Sequence, residues 1–170
     1  MLGSIAGDII GSVYERQKTK TTNFPLFQEN SRFTDDTVMT IATADSILHN
    51  IPYVKSYRDY GRRYPTKGYG SSFRTWFMSD TMGPYNSWGN GSAMRISPVG
   101  FAYETVDEVM EQAILSAEVT HNHPEGIIQI QLAIIAKTPS VMDFCTAMCY
   151  VQIPRLASDI IDYVCPSCWE

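Results

Sequence analysis

Two neighbouring carboxylates, Asp35 and Asp36, stand between the hydroxyls of Thr34 and Thr37, directly ahead of a run whose apolar residues Val38, Ile41, Ala42 and Leu48 recur at helical spacing. Thr34 or Asp35 makes a natural N-cap, which puts both acids in the first turn of a helix. Acids in that place have two uses. They can serve free amides and the helix dipole, or they can hold a hard cation such as Mg²⁺, which favours carboxylate and hydroxyl oxygens and retains several waters. A second acidic pair bears on the choice. Asp8 and Glu15 are seven residues apart on a stretch with helical periodicity, so they project from nearly the same face. A third stretch, Ser87-Trp88-Gly89-Asn90-Gly91-Ser92, is a glycine-rich turn whose backbone amides suit an anion such as a diphosphate, although Gly-Asn-Gly by itself also makes an ordinary turn. His121, in Thr120-His121-Asn122-His123-Pro124, has no HExxH partner and reads as a loop histidine lining a pocket rather than a zinc ligand.

Helices must position these groups. The spacing predicts a helix over 2–15, with Leu2, Ile5, Ala6, Ile9, Ile10 and Val13 on its apolar side. Gly3, Gly7 and Gly11 form a line along it, and since each glycine costs about 1 kcal/mol in a helix, the line predicts a buried helix pressed against a neighbour. Residues 16–33 are polar and lead as a loop to the Asp pair. Helices follow over 35–49, ended by Ile51-Pro52, and over 53–64, ended by Pro65. Lys67-Gly68-Tyr69-Gly70 is a turn, the aromatic segment 72–77 is helical, and 79–91 is loop. A new helical pattern opens near Ser92. Thr105-Val106-Asp107-Glu108 is a capping box that starts a helix through 119. Three more helices are expected over 125–137, 140–151 and 156–164, with 127–135 the one ambiguous run. No alternating strand pattern is evident, so the fold class is all-α in a single helical domain spanning 1–170.

Composition narrows the class. At 170 residues, 44% hydrophobic and 18% charged, the chain can build one real core and reads as a soluble globular domain. A net charge of −5 argues against broad nucleic-acid or anionic-membrane binding, and no apolar run has the length of a membrane span. Arg62, Arg63 and Lys67 form the one basic cluster and read as a solvated loop. The N-terminus lacks a basic region and carries an acid at Asp8, which is unlike a signal peptide, and a cytoplasmic location is the default expectation. The four cysteines, Cys145, Cys149, Cys165 and Cys168, come near a structural zinc pattern, but the first two are one helical turn apart in an apolar stretch, where cysteine is ordinary core filling.

Taken together, Gly7-Asp8-x-x-Gly11-Ser12-x-x-Glu15, Phe33-Thr34-Asp35-Asp36-Thr37, Gly89-Asn90-Gly91-Ser92-Ala93-Met94-Arg95 and Ser116-x3-Thr120-His121 occur in an order and at intervals that resemble the ADP-ribosylglycohydrolase family, the relatives of dinitrogenase-reductase-activating glycohydrolase. The resemblance covers residues 1–126. It implies a compact all-helical fold, a pair of Mg²⁺ ions at the base of a cleft, and hydrolysis of the bond joining ADP-ribose to a protein side chain or small conjugate. It assigns Thr34, Asp35 and Asp36 as metal ligands and Glu15 and Asp36 as catalytic carboxylates. Ser87, Trp88, Gly89, Asn90, Gly91 and His121 would hold the ADP-ribose. One departure stands out. The family completes its metal site with a late Asp-x-Asp-Thr segment, and residues 127–170 contain none: Asp143 is alone, and Asp159 and Asp162 have another spacing and no threonine. The resemblance therefore implies one Mg²⁺ or none in place of two, weak or lost hydrolysis, or a non-catalytic ADP-ribose binder. It also leaves apolar helix faces without their usual cover, which predicts self-association.

Overall fold

The computed structural model describes residues 1–15, 21 and 23–124. The helices expected over 125–137, 140–151 and 156–164, the ambiguous run 127–135 and all four cysteines lie outside the described residues. Among the described residues every regular element is a helix: α1 (Leu2–Gly11), α2 (Asp35–His49), α3 (Tyr53–Arg63), α4 (Ser71–Met78), a 3-10 turn at Asn90–Ser92, α5 (Ser97–Ala102) and α6 (Val106–Glu118).

The centre is α2, which packs against α1, α3 and α5. Thr34 is its N-cap, and at its far end Asn50 takes the left-handed conformation (φ 51°), with its N–H donating to the carbonyls of Ser46 and Ile47. Pro52 then sets the start of α3. The buried face of α2 differs from the expected one. Val38 and Ala42 are buried, but Ile41 and Leu48 are exposed, and Thr37, Thr40, Thr43 and Ser46 are buried beside Met39. Hydroxyls tolerate that burial because each finds an acceptor. Thr40 Oγ1 donates to the Met94 carbonyl, and Thr43 Oγ1 to the Met39 carbonyl. A helix that binds through hydroxyls fastens to specific backbone atoms, here the segment just after the glycine turn.

Aromatic residues fill the space between α2, α3 and α4. Tyr57, Phe73, Trp76 and Phe77 are buried with Val38, Met39 and Ala42. Gly61 admits the Phe77 ring, since a Cβ there would lie 2.8 Å from it. Arg58 lies over Trp76 and donates to the carbonyls of Asp80 and Met82, so the chain leaving α4 is pinned. A second cluster, Ile96, Val99, Val109, Ala113 and Ala117, joins α5 to α6. Thr105 and Glu108 close the expected capping box at the start of α6. The basic cluster is not a solvated loop: Arg62 and Arg63 end α3 and Lys67 follows it, and each is engaged, Arg62 with Asp80 and the Phe77 carbonyl, Arg63 over Tyr60 and Lys67 over Phe33.

Two helices begin or end elsewhere than the periodicity predicts. Helix α1 stops at Gly11, and residues 12–15 form a turn in which the Tyr14 and Glu15 amides both donate to the Gly11 carbonyl. No residue of α1 is buried, and nothing lies within 4 Å of a Cβ built at Gly3, Gly7 or Gly11. The expectation of a buried glycine edge is therefore not met among the described residues. What docks α1 on α2 is Asp8, described below, not the glycine line. The helix expected near Ser92 begins instead at Ser97, where Pro98 fits its first turn. Between them Arg95 and Ile96 are buried, and the Met94 carbonyl accepts from the Thr40 hydroxyl of α2.

Candidate functional site

Asp8 carries the contact between α1 and the start of α2. Its Oδ2 accepts from the backbone N–H of Thr34 (2.8 Å) and of Thr37 (3.2 Å), and its two oxygens also accept from the hydroxyls of Thr34 and Thr37. The Asp36 N–H is left to Thr34 Oγ1, at a long 3.4 Å, and the Asp35 N–H donates to the Lys67 carbonyl at 2.8 Å. First-turn amides thus have other acceptors, and the carboxylates of Asp35 and Asp36 are not needed as caps. Their placement costs energy. Burial first, then the neighbouring charges of Asp36, Glu15 and Asp8, push the Asp35 carboxyl up to about 6, against a stabilising contact with its own backbone amide. Burial, followed by the charges of Asp8 and Glu15, likewise raises Asp36. Asp35 and Asp36 are partly buried, whereas Glu15 is exposed, so the acidic line foreseen on α1 is not a buried face.

The rim of this cluster is shaped by residues that the motifs do not reveal. Gly68 has φ 103°, a conformation that side chains other than glycine's rarely adopt, and a Cβ there would sit 3.0 Å from Asp35 Oδ1. The next residue, Tyr69, has a buried hydroxyl with no hydrogen-bond partner among the described residues. Burial and then the Asp35 charge hold that phenol well above its usual range. Asp8 was visible as an acid on a helix, but its role as the cap of another helix depends on a contact across 26 residues of sequence.

Replacing Asp8 with alanine leaves two amides and two hydroxyls without their acceptor in partly buried positions. It is expected to lower unfolding stability by roughly 2–3 kcal/mol. Chemical denaturation of the purified variant measures this, and a loss under about 0.5 kcal/mol would mean that water replaces the carboxylate freely.

The glycine turn lies against a different set of groups. Ser87 N–H donates to the Thr120 carbonyl (3.2 Å) and Asn86 N–H to Asn122 Oδ1 (2.7 Å), which fastens the turn to the end of α6. The His121 ring packs on Gly91, where a Cβ would come within 3.1 Å of Cε1 and 3.3 Å of Nε2. His121 is buried, and burial, then the Arg95 charge, bring its pKa down to about 4 despite a hydrogen bond with the Gly89 backbone. The ring is neutral at pH 7. Trp88 projects from the turn and is 71% exposed. Ser87, Gly89, Asn90, Gly91 and His121 are thus one neighbourhood, and Glu15, Thr34, Asp35 and Asp36 another. Met94, whose carbonyl accepts from Thr40 of α2, ties the two together.

A metal fits the acid cluster in part. Every potential donor is a hard oxygen, and a cation would relieve the repulsion that raises Asp35 and Asp36. Among the described residues, however, no group of three or more His, Cys, Asp and Glu side chains is placed to hold a metal ion. Two carboxylates, Asp35 and Asp36, would hold an ion only with solvent waters completing its shell. Among the described residues, no helix is long and apolar enough to cross a membrane.

The sequence is similar to those of known proteins. The chain is 29% identical to ADP-ribosylhydrolase ARH3 of Mus musculus over a 156-residue alignment that covers 71% of this chain and 42% of that protein. It is 28% identical to the Homo sapiens protein of the same name, covering 71% and 43%, and 27% identical to that of Gallus gallus, covering 74% and 45%. The chain spans less than half the length of these relatives. A sequence profile described as ADP-ribosylglycohydrolase matches residues 1–143, beyond the Gly126 limit of the motif-based resemblance and across the acid cluster, the glycine turn and His121. The chain belongs to the ADP-ribosylglycohydrolase family.

Proposed function

We propose that this chain binds ADP-ribose at its glycine turn, takes up Mg²⁺ at Asp35 and Asp36, and acts on the glycosidic bond between ADP-ribose and an acceptor, a protein side chain or a small conjugate. The observation that carries the reading is the acid cluster. Asp8, Glu15, Asp35 and Asp36 are drawn together at the start of α2, and the charges that act on Asp35 and Asp36 are all negative. A fold that only needed a capped helix has its cap in Thr34 and Asp8 and gains nothing from two further carboxylates at elevated pKa.

In this reading Asp35 and Asp36 bind the ion, and Thr34, held by Asp8, keeps their backbone in register. Mg²⁺, when bound, supplies Lewis-acid orientation of the ribose diol and of water. Positive charge develops at the anomeric carbon as the glycosidic bond breaks, and the exposed Glu15 carboxylate is available to stabilise it. The backbone amides of Gly89, Asn90 and Gly91 hold the diphosphate. Trp88 offers an exposed ring face to the base, and the neutral His121 braces the turn from below. A second reading, binding without turnover, is favoured by one specific observation: among the described residues no group of three or more metal-ligating side chains comes together.

Titration with ADP-ribose, followed by tryptophan fluorescence, tests the binding step common to both readings. Trp88→Ala is expected to weaken binding about tenfold, as stacking of a base on an aromatic ring contributes roughly 1–3 kcal/mol. An unaltered fluorescence and no heat on calorimetric titration of the wild-type chain would remove the reading.

A further inference from the structure

Behind the glycine turn lies a buried cation whose partners among the described residues are all neutral. Arg95 is 1% exposed. Its Nη2 donates to the Ser116 carbonyl (2.8 Å) and to Thr120 Oγ1 (3.1 Å), and its guanidinium lies 4.3 Å from the centre of the Tyr57 ring. Arg95 Nε has no hydrogen-bond partner, and no ion pair to Arg95 exists among the described residues. Tyr57 in turn shares hydrogen bonds with Ser116 Oγ (2.6 Å) and Thr43 Oγ1 (3.0 Å), so the residues around the guanidinium are fixed from α2, α3 and α6. Such a residue is costly to bury, and general packing does not require it.

We propose that Arg95 and Thr120 are positioning residues which set the tautomer of His121 and thereby the shape of the glycine turn. The steps follow from donor and acceptor capacity. A guanidinium can only donate, so Thr120 Oγ1 accepts from Arg95 and keeps its own proton to give. The neighbouring His121 Nδ1 lies 2.7 Å away and takes that proton in a hydrogen bond. A neutral imidazole whose Nδ1 accepts carries its hydrogen on Nε2. Nε2 is the nitrogen on the Gly91 side of the ring, beside the turn whose Gly89 backbone favours a ring hydrogen. The Nε2 hydrogen is thereby directed at the turn, where the Gly89 carbonyl can accept it, while the Gly89 N–H donates to Ser87 Oγ (3.4 Å). Arg95 adds a second effect, since its charge opposes protonation of the ring. Tyr57 and Tyr85 are the other titratable groups beside Arg95, and burial holds the Tyr85 phenol above its usual range.

The positioning of the turn is a statement about this fold alone; its consequence for ligand rests on the ADP-ribose reading above. The test therefore reads both. In ¹⁵N-labelled wild-type protein at pH 7, the His121 ring is expected to show a protonated Nε2 and a bare, accepting Nδ1. Thr120→Val keeps the volume and removes the hydroxyl. It is expected to mix the tautomers, to speed amide exchange at Gly89 and Gly91 by about tenfold, and to raise the ADP-ribose dissociation constant by a similar factor. Thr120→Ser, which restores the hydroxyl, should restore all three. A wild-type ring with its proton on Nδ1 overturns the proposal without any variant. So does a Thr120→Val protein with the wild-type tautomer and wild-type exchange. If the tautomer and exchange behave as stated but wild-type protein does not bind ADP-ribose, the positioning device stands and the ligand assignment fails.

Discussion

Asp35→Asn is expected to raise the melting temperature of metal-free protein at pH 8 and to abolish the further rise that Mg²⁺ produces. Both effects have one cause. The folded carboxyl titrates near 6 and the unfolded one near 3.8. Between those values the folded state binds more protons, so this group's contribution to stability falls as pH rises, and above pH 6 its penalty is complete. Asparagine removes it. After discounting for the solvent that reaches this partly exposed site, the gain is roughly 1–2 kcal/mol, a few degrees in a domain of this size. The gain disappears below about pH 4, where the wild-type group is protonated in both states. Mg²⁺ stabilises the folded state according to its concentration relative to its dissociation constant, and loss of one of two carboxylates should eliminate that shift at millimolar metal. Thermal melts with and without Mg²⁺, at pH 4 and pH 8, contain the whole prediction. A variant that is destabilised at pH 8, or that keeps the Mg²⁺ shift, would return the Asp pair to a helix-dipole role.

The second large effect concerns turnover. Hydrolysis of ADP-ribosyl-arginine or ADP-ribosyl-serine by this 170-residue chain is expected to be very slow or absent while ADP-ribose binds measurably. Among the described residues only Asp35 and Asp36 would approach an ion, and from one side. An ion held mostly by water is mobile, and small misplacements of reacting groups cost about a hundredfold in rate. The glycine turn depends on none of those ligands, since its supports are Thr120, His121 and Asn122. Binding and turnover therefore separate. The assay is release of ADP-ribose with and without Mg²⁺, beside Glu15→Gln. Rapid Mg²⁺-dependent release that disappears in Glu15→Gln would mean that a partner subunit or a carboxylate such as Asp143 completes the site.

Local chemistry was legible in the sequence wherever neighbours along the chain decide the outcome. The N-cap at Thr34, the stop at Ile51-Pro52 and the capping box at Thr105 each depend on residues within four positions, and each is present. The grouping of motifs also identified the family, because four short patterns in fixed order constrain one another even though each is common. Contacts between distant segments were not legible. Periodicity carried α1 past Gly11 to residue 15, because it counts apolar positions and takes no account of the turn that brings Glu15 back towards Asp35 and Asp36. It grouped Ile41 and Leu48 with Val38 and Ala42 as one apolar pattern and passed over the threonines, whose burial depends on acceptors supplied from elsewhere, as Met94 supplies one to Thr40. A glycine line marks where a neighbour can approach, but not whether one does. Asp8 as the cap of α2, Gly68 against Asp35 and Arg95 behind His121 each join segments more than twenty residues apart, and only the packing of the helices brings their atoms within reach.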